Sequence, residues 1–361
     1  MAFSVLTINP GSTSTKLARF EDEACVWQDV LRHTAEELAP FGAVSEQLDF
    51  RLGLVRSALA AHDGGAVRLD AVVGRGGIID PLPGGAYRVD PVLVDRLRLG
   101  RPWDHPSNLG GVLAFSLAEP LGIPAFIVDP VCVDEMAPEA KVTGLPELPK
   151  PSLLHALNVK AMVRRAARDL EKPWNEINCV VVHLGGGVSV VAHRRGRAVD
   201  VNSANEWGPF SLDRAGGLPV GEFARLCFSG RYSEVDIRRK LTSGGGLRAY
   251  IGTNDMLEVD RRIRAGDDEA AFYRRAMVWQ IAKEIGAQAV SLGEPVDAVI
   301  LTGGIAHDAG FVRLLLERVQ WIAPCLVYPG EDELLALAQG ALRVLRGEEP
   351  ARDYASSVLR R

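Results

Sequence analysis

The feature of this 361-residue sequence that most constrains its fold is a local pattern that occurs twice. An apolar run that ends at Asn9 is followed by Pro10-Gly11 and then by the alternating residues 14–20. Residues 177–184 form a second apolar run, which enters three glycines and is again followed by alternating residues. Each copy is typical of a strand, a tight turn and a second strand. The sequence therefore predicts two similar β-hairpins, with His183 standing where Asn9 stands in the first copy.

A second pair of similar segments supports a duplication of the chain. LDAVVGRGGI at residues 69–78 and VDAVILTGGI at residues 296–305 are identical at six of ten positions. Both pairs occur in the same order, which indicates an internal duplication, and the wider spacing of the second pair predicts an insertion in the second copy. We therefore expect two similar α/β domains that face each other across a cleft, where ligands bind in such sheets.

Composition excludes several classes of protein. The apolar content of 47% and the charged content of 24% are globular values, and the length suits two domains. The net charge of −5 argues against nucleic acid as the main partner. Five cysteines without a C-x-x-C pair indicate reduced thiols. The start carries no basic leader, and no apolar run reaches the roughly 18 residues of a membrane span. We expect a cytoplasmic protein that does not associate with a membrane.

The stretch NPGSTSTK at residues 9–16 has the composition of a phosphate-binding loop. A P-loop needs a second glycine before its lysine and a helix after it, and this stretch has neither signal. Backbone N–H groups and hydroxyls at a hairpin turn can still hold phosphate oxygens. The same residues also suit a solvent-exposed hairpin without chemistry. The duplication and the expected cleft favour the phosphate site.

Ten segments between residue 5 and about residue 347 carry a resemblance to a known family. In chain order they are INPGSTSTK, GRGGIIDPLPGGAYRV, HPSNLGGVLA, PAFIVDPVCVDE, SLLHALNVKA, HLGGGVSVVAHRRGR, GPFSLDRAGGLPVG, GTND, LTGGIA and YPGEDE. Together they resemble the butyrate kinases of the acetokinase family, within the superfamily of acetate and sugar kinases, heat-shock chaperones and actin. The resemblance implies duplicated ribonuclease H-like (actin-like ATPase) domains with an interdomain cleft.

The activity that this resemblance implies is butyrate + ATP ⇌ butyryl phosphate + ADP, with Mg²⁺ as cofactor and a homodimer or higher homo-oligomer as the assembly. Catalysis of phosphoryl transfer rests mainly on positioning and on cations around the transferring group. A carboxylic acid with a pKa of about 4.3 is already ionised at neutral pH, so its charge must be held, which suits arginine. Arg75 and Arg214 match the family pair that flanks the substrate carboxylate and the phosphoryl group, although sequence alone also suits two surface arginines. Lys16 adds a positive charge for the phosphates.

Three of the seven histidines are candidates for the site. By resemblance, His155 stabilises the transferring phosphoryl group, and we expect a helix to begin near it with Ser152 as the N-cap residue. His183 is placed to reach a phosphate. His105 matches a substrate-side position of the family, although it also suits a helix cap.

Asp129 ends the apolar run 125–128 and matches the catalytic aspartate of the acetate kinases. A carboxylate at the carboxyl end of a strand points towards the ligand side of an α/β domain. Because the substrate is already anionic, we expect Asp129 to act mainly through Mg²⁺ and its waters. A turn-forming role before a proline and the neighbours Asp134 and Glu135 are the alternatives.

Family matching assigns the metal to Asn9 and to Glu331, and a shift by one residue would select Asp332 instead. The acetate kinases have asparagine where this chain has Gly186, so we expect phosphate contact there from the backbone. The residues expected to contact nucleotide are Asn9, Ser12, Ser14, Lys16, His183, Gly185, Gly186, Gly187, Gly303, Gly304 and Ile305, with the GTND segment at residues 252–255 as a further candidate.

Gly77 bears on the choice of acid. The acetate kinases carry a β-branched residue at this position, and its absence here predicts room for a chain longer than acetate. Each methylene is worth only about 1–3 kcal/mol, so propionate, butyrate, isobutyrate and valerate stay open. An acetate, propionate or branched-chain acyl kinase is the alternative enzyme. A nucleotide-switched actin-like binding protein is the alternative from another class, and the chain lacks a recognisable peptide- or DNA-binding segment for it.

The predicted domains follow from the resemblance and from the prolines after residue 145. The first spans residues 1–148, and the second spans residues 149–332 and contains the insertion. Residues 334–346 have the pattern of an amphipathic helix, and we expect segment 333–361 to pack on the first domain.

Overall fold

A computed structural model describes residues 2–64, 68–204 and 207–359. The chain divides into two compact units: the first contains Met1–Asp134, Ala156–Asn158 and Asp332–Arg361, and the second contains Glu135–His155 and Val159–Glu331. The sequence predicts domain boundaries near residues 148 and 332. They stay a prediction, because a division into compact units does not test them.

The strands and helices of the described residues are numbered in chain order. The strands are β1 (Ser4–Pro10), β2 (Ser14–Glu21), β3 (Ala24–Arg32), β4 (Ala71–Arg75), β5 (Ala86–Arg88), β6 (Ala125–Val128), β7 (Asn178–Leu184), β8 (Val188–Arg194), β9 (Arg197–Val201), β10 (Ala298–Gly303) and β11 (Cys325–Pro329). The helices are α1 (Ala35–Leu38), α2 (Leu48–Asp63), α3 (Pro91–Arg98), α4 (Asn108–Ala118), α5 (Ala156–Asp169), α6 (Val220–Cys227), α7 (Glu234–Thr242), α8 (Gly246–Ile251), α9 (Met256–Arg264), α10 (Asp268–Leu292), α11 (Ala309–Val319), α12 (Glu333–Leu345) and α13 (Tyr354–Ser357). Short 3₁₀ helices lie at Val44–Gln47, Glu119–Leu121, Pro138–Lys141 and Gly304–His307.

The first unit is built on a sheet whose described strands lie in the order β3-β2-β1-β4-β6-β5. β1, β2 and β3 form an antiparallel meander, whereas β4 and β6 run parallel to β1. Every residue of β1 is buried, as its apolar run predicts. The first predicted hairpin is confirmed, although Pro10 pairs with Thr15 inside the ladder and the turn begins at Gly11. The Gly11 N–H closes this turn by donating to the Ser14 carbonyl at 2.7 Å.

The second unit repeats this arrangement. Its described strands lie in the order β11-β10-β7-β8-β9, with β7, β8 and β9 antiparallel and with β10 and β11 parallel to β7. Read from the meander outwards, this matches β3-β2-β1-β4-β6 of the first unit strand for strand. The predicted duplication is therefore confirmed in the sheet topology. The predicted insertion lies between β9 and β10, where the second unit carries α6–α10, whereas the described residues between β3 and β4 of the first unit form only α1, α2 and a short 3₁₀ helix.

Glycines set the distance between β4 and the helix that covers it. A Cβ atom on Gly74 would lie 1.9 Å from the carbonyl oxygen of Gly110, and one on Gly110 would lie 2.2 Å from the carbonyl oxygen of Arg75. Both distances are far below van der Waals contact, so α4 can lie against β4 only with glycine at both positions. This packing supports the end of β4 from which Arg75 extends.

The predicted amphipathic helix at residues 334–346 is confirmed as α12. It packs on β1 and β4 of the first unit, and Leu334 and Ala338 are buried against Ala18 and Phe20. A membrane-spanning segment would need a long apolar helix, and the described part of the chain has none.

Candidate active site

Three side chains of the first unit form one hydrogen-bonded group, which we call the first cluster: Asn9, Arg75 and Glu333. Arg75 donates from Nη1 to Glu333 at 2.8 Å, and Asn9 donates from Nδ2 to Glu333 Oε2 at 2.5 Å. Arg75 Nη1 also lies 3.5 Å from Asn9 Oδ1. The Glu333 side chain is only 9% exposed, and its ion pair with the Arg75 guanidinium balances its charge.

The topology explains why these residues meet. β1 and β4 are parallel neighbours in which Ile8 pairs with Gly74, so Asn9 and Arg75 follow at adjacent strand ends. Glu333 is the first residue of α12, which packs on these two strands. Lys16 is exposed and pairs with Asn9 across the hairpin, so the two side chains lie on the same face of the sheet.

Asp129 lies directly after the next strand of the same sheet. Arg75 pairs with Val128 in the β4–β6 ladder, so Asp129 also stands at this edge. It is 5% exposed and has a φ of 39°, which is unusual for a residue other than glycine. Its N–H donates to the Gly85 carbonyl at 2.9 Å, and its Oδ1 accepts from the Gly85 N–H at 2.7 Å. The carboxylate is therefore held in one orientation by Gly85, the residue directly before β5.

His105 is held in a defined protonation state. Its Nδ1 accepts a hydrogen bond from the Ser107 N–H at 3.2 Å, so the neutral ring carries its proton on Nε2. The pKa of His105 is lowered, first because desolvation disfavours the imidazolium and then because Arg75 is positively charged. His105 is thus a neutral donor near Arg75 at pH 7.

Asn108 lies in the position that a side chain at Gly77 would occupy. A Cβ atom at this position would lie 2.1 Å from Asn108 Oδ1, which accepts a hydrogen bond from the Ile78 N–H at 2.8 Å. The missing side chain therefore makes room for Asn108. The inference that Gly77 admits a longer acyl chain stays a prediction, because this contact describes only the position of the missing Cβ atom.

A second cluster lies in the second unit and consists of His155, His183 and Glu331. The two imidazole rings are stacked, with centroids 3.8 Å apart and 11° between their planes. His155 Nδ1 lies 2.9 Å from Ser189 Oγ, and His183 Nε2 lies 3.4 Å from Glu331 Oε1. His183 is the second-last residue of β7, one position before the predicted strand end is reached at Leu184, and its side chain is 1% exposed.

The helix that carries His155 begins later than predicted. α5 starts at Ala156 with His155 itself at the N-cap position, where the His155 side chain makes no capping hydrogen bond. The assignment of Ser152 as N-cap residue is wrong, because the chain is still not helical at residues 152–154. His155 is therefore placed by the start of the helix and by its contacts with His183 and Ser189.

Arg214 is seated against the glycine turn of the second hairpin. A Cβ atom on Gly187 would lie 2.2 Å from Arg214 Nη1, so the guanidinium occupies the space that a larger residue would fill. Nη1 donates to the Ala204 carbonyl at 2.9 Å. Desolvation lowers the pKa of Arg214, and Asp213 acts in the opposite direction. An arginine stays cationic at neutral pH even so.

The residues predicted to contact adenosine lie where β10 ends. Gly303 has a φ of 90°, and a Cβ atom there would lie 2.4 Å from the Leu184 carbonyl oxygen, so only glycine fits. Gly303 exchanges backbone hydrogen bonds of 3.0 and 3.1 Å with Gly330. Ile305 is 4% exposed and packs in the core of the second unit.

The donor set for a metal is small. Among the described residues no group of three or more His, Cys, Asp or Glu side chains is placed to bind a metal ion. The amide oxygen of Asn9 and the carboxylate of Glu333 are the kinds of ligand that Mg²⁺ prefers, and Mg²⁺ usually takes few protein ligands. The first cluster therefore fits such an ion. Glu331, predicted for this role, contacts His183 in the second unit, and its assignment to the metal stays a prediction.

The sequence did not predict the contacts of Glu333 with Asn9 and Arg75, although Glu333 stands in the YPGEDE segment that carries the resemblance. The available signal was the start of the amphipathic pattern at Leu334, which marks Glu333 as the first helical residue. Glu333, and not Glu331, contacts Asn9 near the end of β1.

Comparisons with known proteins identify the family of this chain. A model of the acetokinase family matches residues 154–323. Butyrate kinase 2 of Clostridium acetobutylicum is 47% identical over 355 residues, which cover 98% of this chain and 100% of that protein. The chain belongs to the acetokinase family. A probable butyrate kinase of Listeria monocytogenes serotype 4b is also 47% identical over the same shares.

Solved structures agree with the acetokinase fold. The acetate kinase of Porphyromonas gingivalis superposes with a TM-score of 0.76 at 18% identity, covering 94% of this chain and 99% of that one. The propionate kinase of Francisella tularensis gives a TM-score of 0.69 at 18% identity, covering 94% and 98%. The predicted fold class of duplicated actin-like domains is confirmed.

Proposed function

We propose that this protein is a short-chain fatty acid kinase that transfers the γ-phosphoryl group of ATP to butyrate and, in reverse, forms ATP from butyryl phosphate and ADP. The observation that carries the proposal is the 47% identity with a named butyrate kinase over 98% of this chain and 100% of that protein. Family membership makes the protein a phosphotransferase with a carboxyl group as acceptor. The arginines, histidines and carboxylates described above supply the chemistry that this reaction needs.

The two arginines hold negative charge during the transfer. Butyrate is ionised at pH 7, so it needs a cation to approach the anionic nucleotide. Arg75 is oriented by Glu333 and Asn9, which leaves its guanidinium fixed at a strand end. Arg214 is fixed by the Ala204 carbonyl and the Gly187 turn. We assign the carboxylate and the transferring phosphoryl group to these two residues.

Asn9 and Glu333 are the proposed protein ligands of Mg²⁺, with Glu333 in place of Glu331. When bound, Mg²⁺ neutralises charge on the phosphate oxygens of the nucleotide. Asp129 stands on the same edge of the sheet, and we assign it to this metal side, because an ionised acid requires no general base. Ser12, Ser14 and Lys16 of the first hairpin contact phosphate oxygens.

The histidines act as donors to phosphoryl oxygens. His155 and His183 stack on each other, so each ring restricts the other's orientation. His105 keeps its proton on Nε2 and can donate it in a hydrogen bond. The backbone N–H groups of Gly185, Gly186 and Gly187 are the proposed phosphate contacts of the second hairpin, and the adenosine site is assigned to Gly303, Gly304 and Ile305.

Location and assembly complete the proposal. The described cysteines are all free thiols, which fits a reducing compartment such as the cytoplasm. A homodimer or a higher homo-oligomer is proposed on family grounds.

The activity is tested by trapping acyl phosphate as its hydroxamate. Purified protein is incubated with ATP, Mg²⁺, hydroxylamine and one acid from a series of two to six carbons. We expect acid-dependent hydroxamate, with butyrate or a close neighbour giving the highest kcat/KM. A maximum at acetate or propionate would make the protein a different acyl kinase. ATP hydrolysis that no acid changes would overturn the proposal in favour of a nucleotide-switched binding protein.

A further inference from the structure

A fully buried arginine lies behind the turn of the first hairpin. Arg51, in the first turn of α2, has a side chain with no solvent exposure. Its Nε and Nη2 donate to Gln47 Oε1 at 3.1 and 2.8 Å. Its Nη1 donates to Thr15 Oγ1 at 2.9 Å and to the Ser14 carbonyl at 3.2 Å. All of these acceptors are neutral.

Within the described part of the chain, no carboxylate balances the charge of Arg51. Among the described residues, none of the ion pairs includes Arg51. Burial lowers its pKa to about 10, which still leaves it charged at neutral pH. A buried charge without a counter-charge is costly, and arginine is rarely fully buried unless it is paired. A neutral side chain could satisfy Gln47 and Thr15 at a lower cost, so the charge needs another explanation.

The contacts of Arg51 lead directly to the turn. The Ser14 carbonyl accepts from both Arg51 Nη1 and the Gly11 N–H, which is the bond that closes the turn. Thr15 Oγ1 also lies 2.9 Å from His33 Nε2, and the His33 N–H donates to the Thr13 carbonyl at 2.9 Å. The pKa of His33 is lowered by desolvation and by the charge of Arg51, so His33 stays neutral. Arg51 is thus the charged member of a network that holds residues 11–15.

We propose that Arg51 is a positioning residue of the phosphate-binding turn and that its uncompensated positive charge strengthens the binding of polyphosphate at Gly11–Ser14. This inference rests on the proposed function, which places the nucleotide's phosphates at this turn. A charge acts over several ångströms in a poorly solvated region, so Arg51 contributes without touching the ligand. Its effect grows with the negative charge of the nucleotide.

The test neutralises the charge and keeps the geometry. Gln47→Glu gives Arg51 an isosteric carboxylate partner, and Gln28→Glu adds the same charge at an exposed position of β3 as a control. Binding of ATP and of AMP to each full-length variant is measured by calorimetry, with thermal unfolding as a check on folding. We expect Gln47→Glu to raise the Kd for ATP about tenfold and the Kd for AMP much less. We expect Gln28→Glu to behave like the unchanged protein.

A second variant separates charge from shape. Arg51→Lys keeps the charge and loses the forked hydrogen bonds, so the ratio of ATP to AMP affinity should stay near that of the unchanged protein. Equal ATP-to-AMP ratios for Gln47→Glu and Gln28→Glu, with butyrate kinase activity intact in the unchanged protein, would overturn this inference alone. If the unchanged protein shows no acid-dependent turnover, the proposed function itself is overturned.

Discussion

The two hairpins share a topology and differ in chemistry. The β1–β2 hairpin brings polar side chains to its turn, with Asn9 and Lys16 paired across the ladder. The β7–β8 hairpin has three glycines at its turn, and the space above Gly187 is occupied by Arg214. The turn of the first hairpin therefore presents polar side chains. The turn of the second presents backbone N–H groups and leaves space for the guanidinium of Arg214. The duplication preserved the strand order and left the chemistry of each turn to diverge.

The interiors behind the hairpins differ as well. The first hairpin is supported by Arg51, which is buried and charged. The second contains His193 on β8, which is also fully buried, and desolvation lowers its pKa to about 3. A charge is thus kept near the first turn, and a neutral ring lies within the second hairpin. The following predictions test this contrast, from the largest expected effect to the smallest.

Loss of Arg75 should have the largest effect, because it removes the cation of the first cluster. We expect Arg75→Ala to lower kcat with butyrate about 10³-fold, as for removal of a group that stabilises transition-state charge, and to change the Kd for ATP only a few-fold. Steady-state kinetics and calorimetry measure the two quantities. Arg56→Ala, which removes an exposed arginine of α2, should match the unchanged protein. Intact turnover in Arg75→Ala would remove Arg75 from the site.

The second hairpin is tested by two neighbouring glycines. Gly187→Ala places a methyl group 2.2 Å from Arg214 Nη1, so the guanidinium must move. We expect about a 10²-fold loss of kcat/KM from this misplacement. At Gly186 the nearest neighbour of an added Cβ is Asp213 Oδ1 at 4.0 Å, so Gly186→Ala should change kcat/KM less than about twofold. Equal losses in both variants would contradict the seating of Arg214 on Gly187.

The two glutamates test which unit holds the metal. Glu333→Gln removes the carboxylate beside Asn9, and we expect about a tenfold higher free Mg²⁺ concentration for half-maximal rate. Glu331→Gln alters the contact with His183 and should leave the Mg²⁺ dependence unchanged. Initial rates at fixed ATP and varied Mg²⁺ decide between them. The reverse result would restore Glu331 as the metal-side residue.

The smallest effect concerns stability and pH. Between about pH 6.5 and pH 3 the unfolded chain protonates His193 while the folded chain does not, so stability falls as the pH falls, by up to about 1.4 kcal/mol per pH unit. His193→Leu should therefore reduce the slope of unfolding free energy against pH in urea titrations at pH 4.5, 5.5 and 6.5. His307→Gln, at an exposed position, should keep the slope. An unchanged slope in His193→Leu would show that His193 is not kept neutral.

The sequence predicted those parts of the fold that depend on neighbouring residues. Both hairpins and α12 were predicted because apolar runs, glycine turns and helical periodicity are local signals. Glu333 was missed because its partner Asn9 is 324 residues away, so only packing of α12 on β1 brings them together. Asn108 fills the space beside Gly77 for the same reason, since a helix start contacts a distant loop. The start of α5 was predicted wrongly although it is a local feature. Serine is a common N-cap residue, but Ser152 lies three residues before the actual N-cap position at His155.

The central claim is that a carboxylate oxygen of the acid attacks the terminal phosphorus of ATP. Butyrate labelled with ¹⁸O in its carboxyl group provides the direct test, followed by ³¹P NMR of the product in the presence of ATP and Mg²⁺. We predict a butyryl phosphate resonance that carries the isotope shift of one directly bonded ¹⁸O, together with an equal amount of ADP. Formation of inorganic phosphate without a labelled acyl phosphate would contradict the claim.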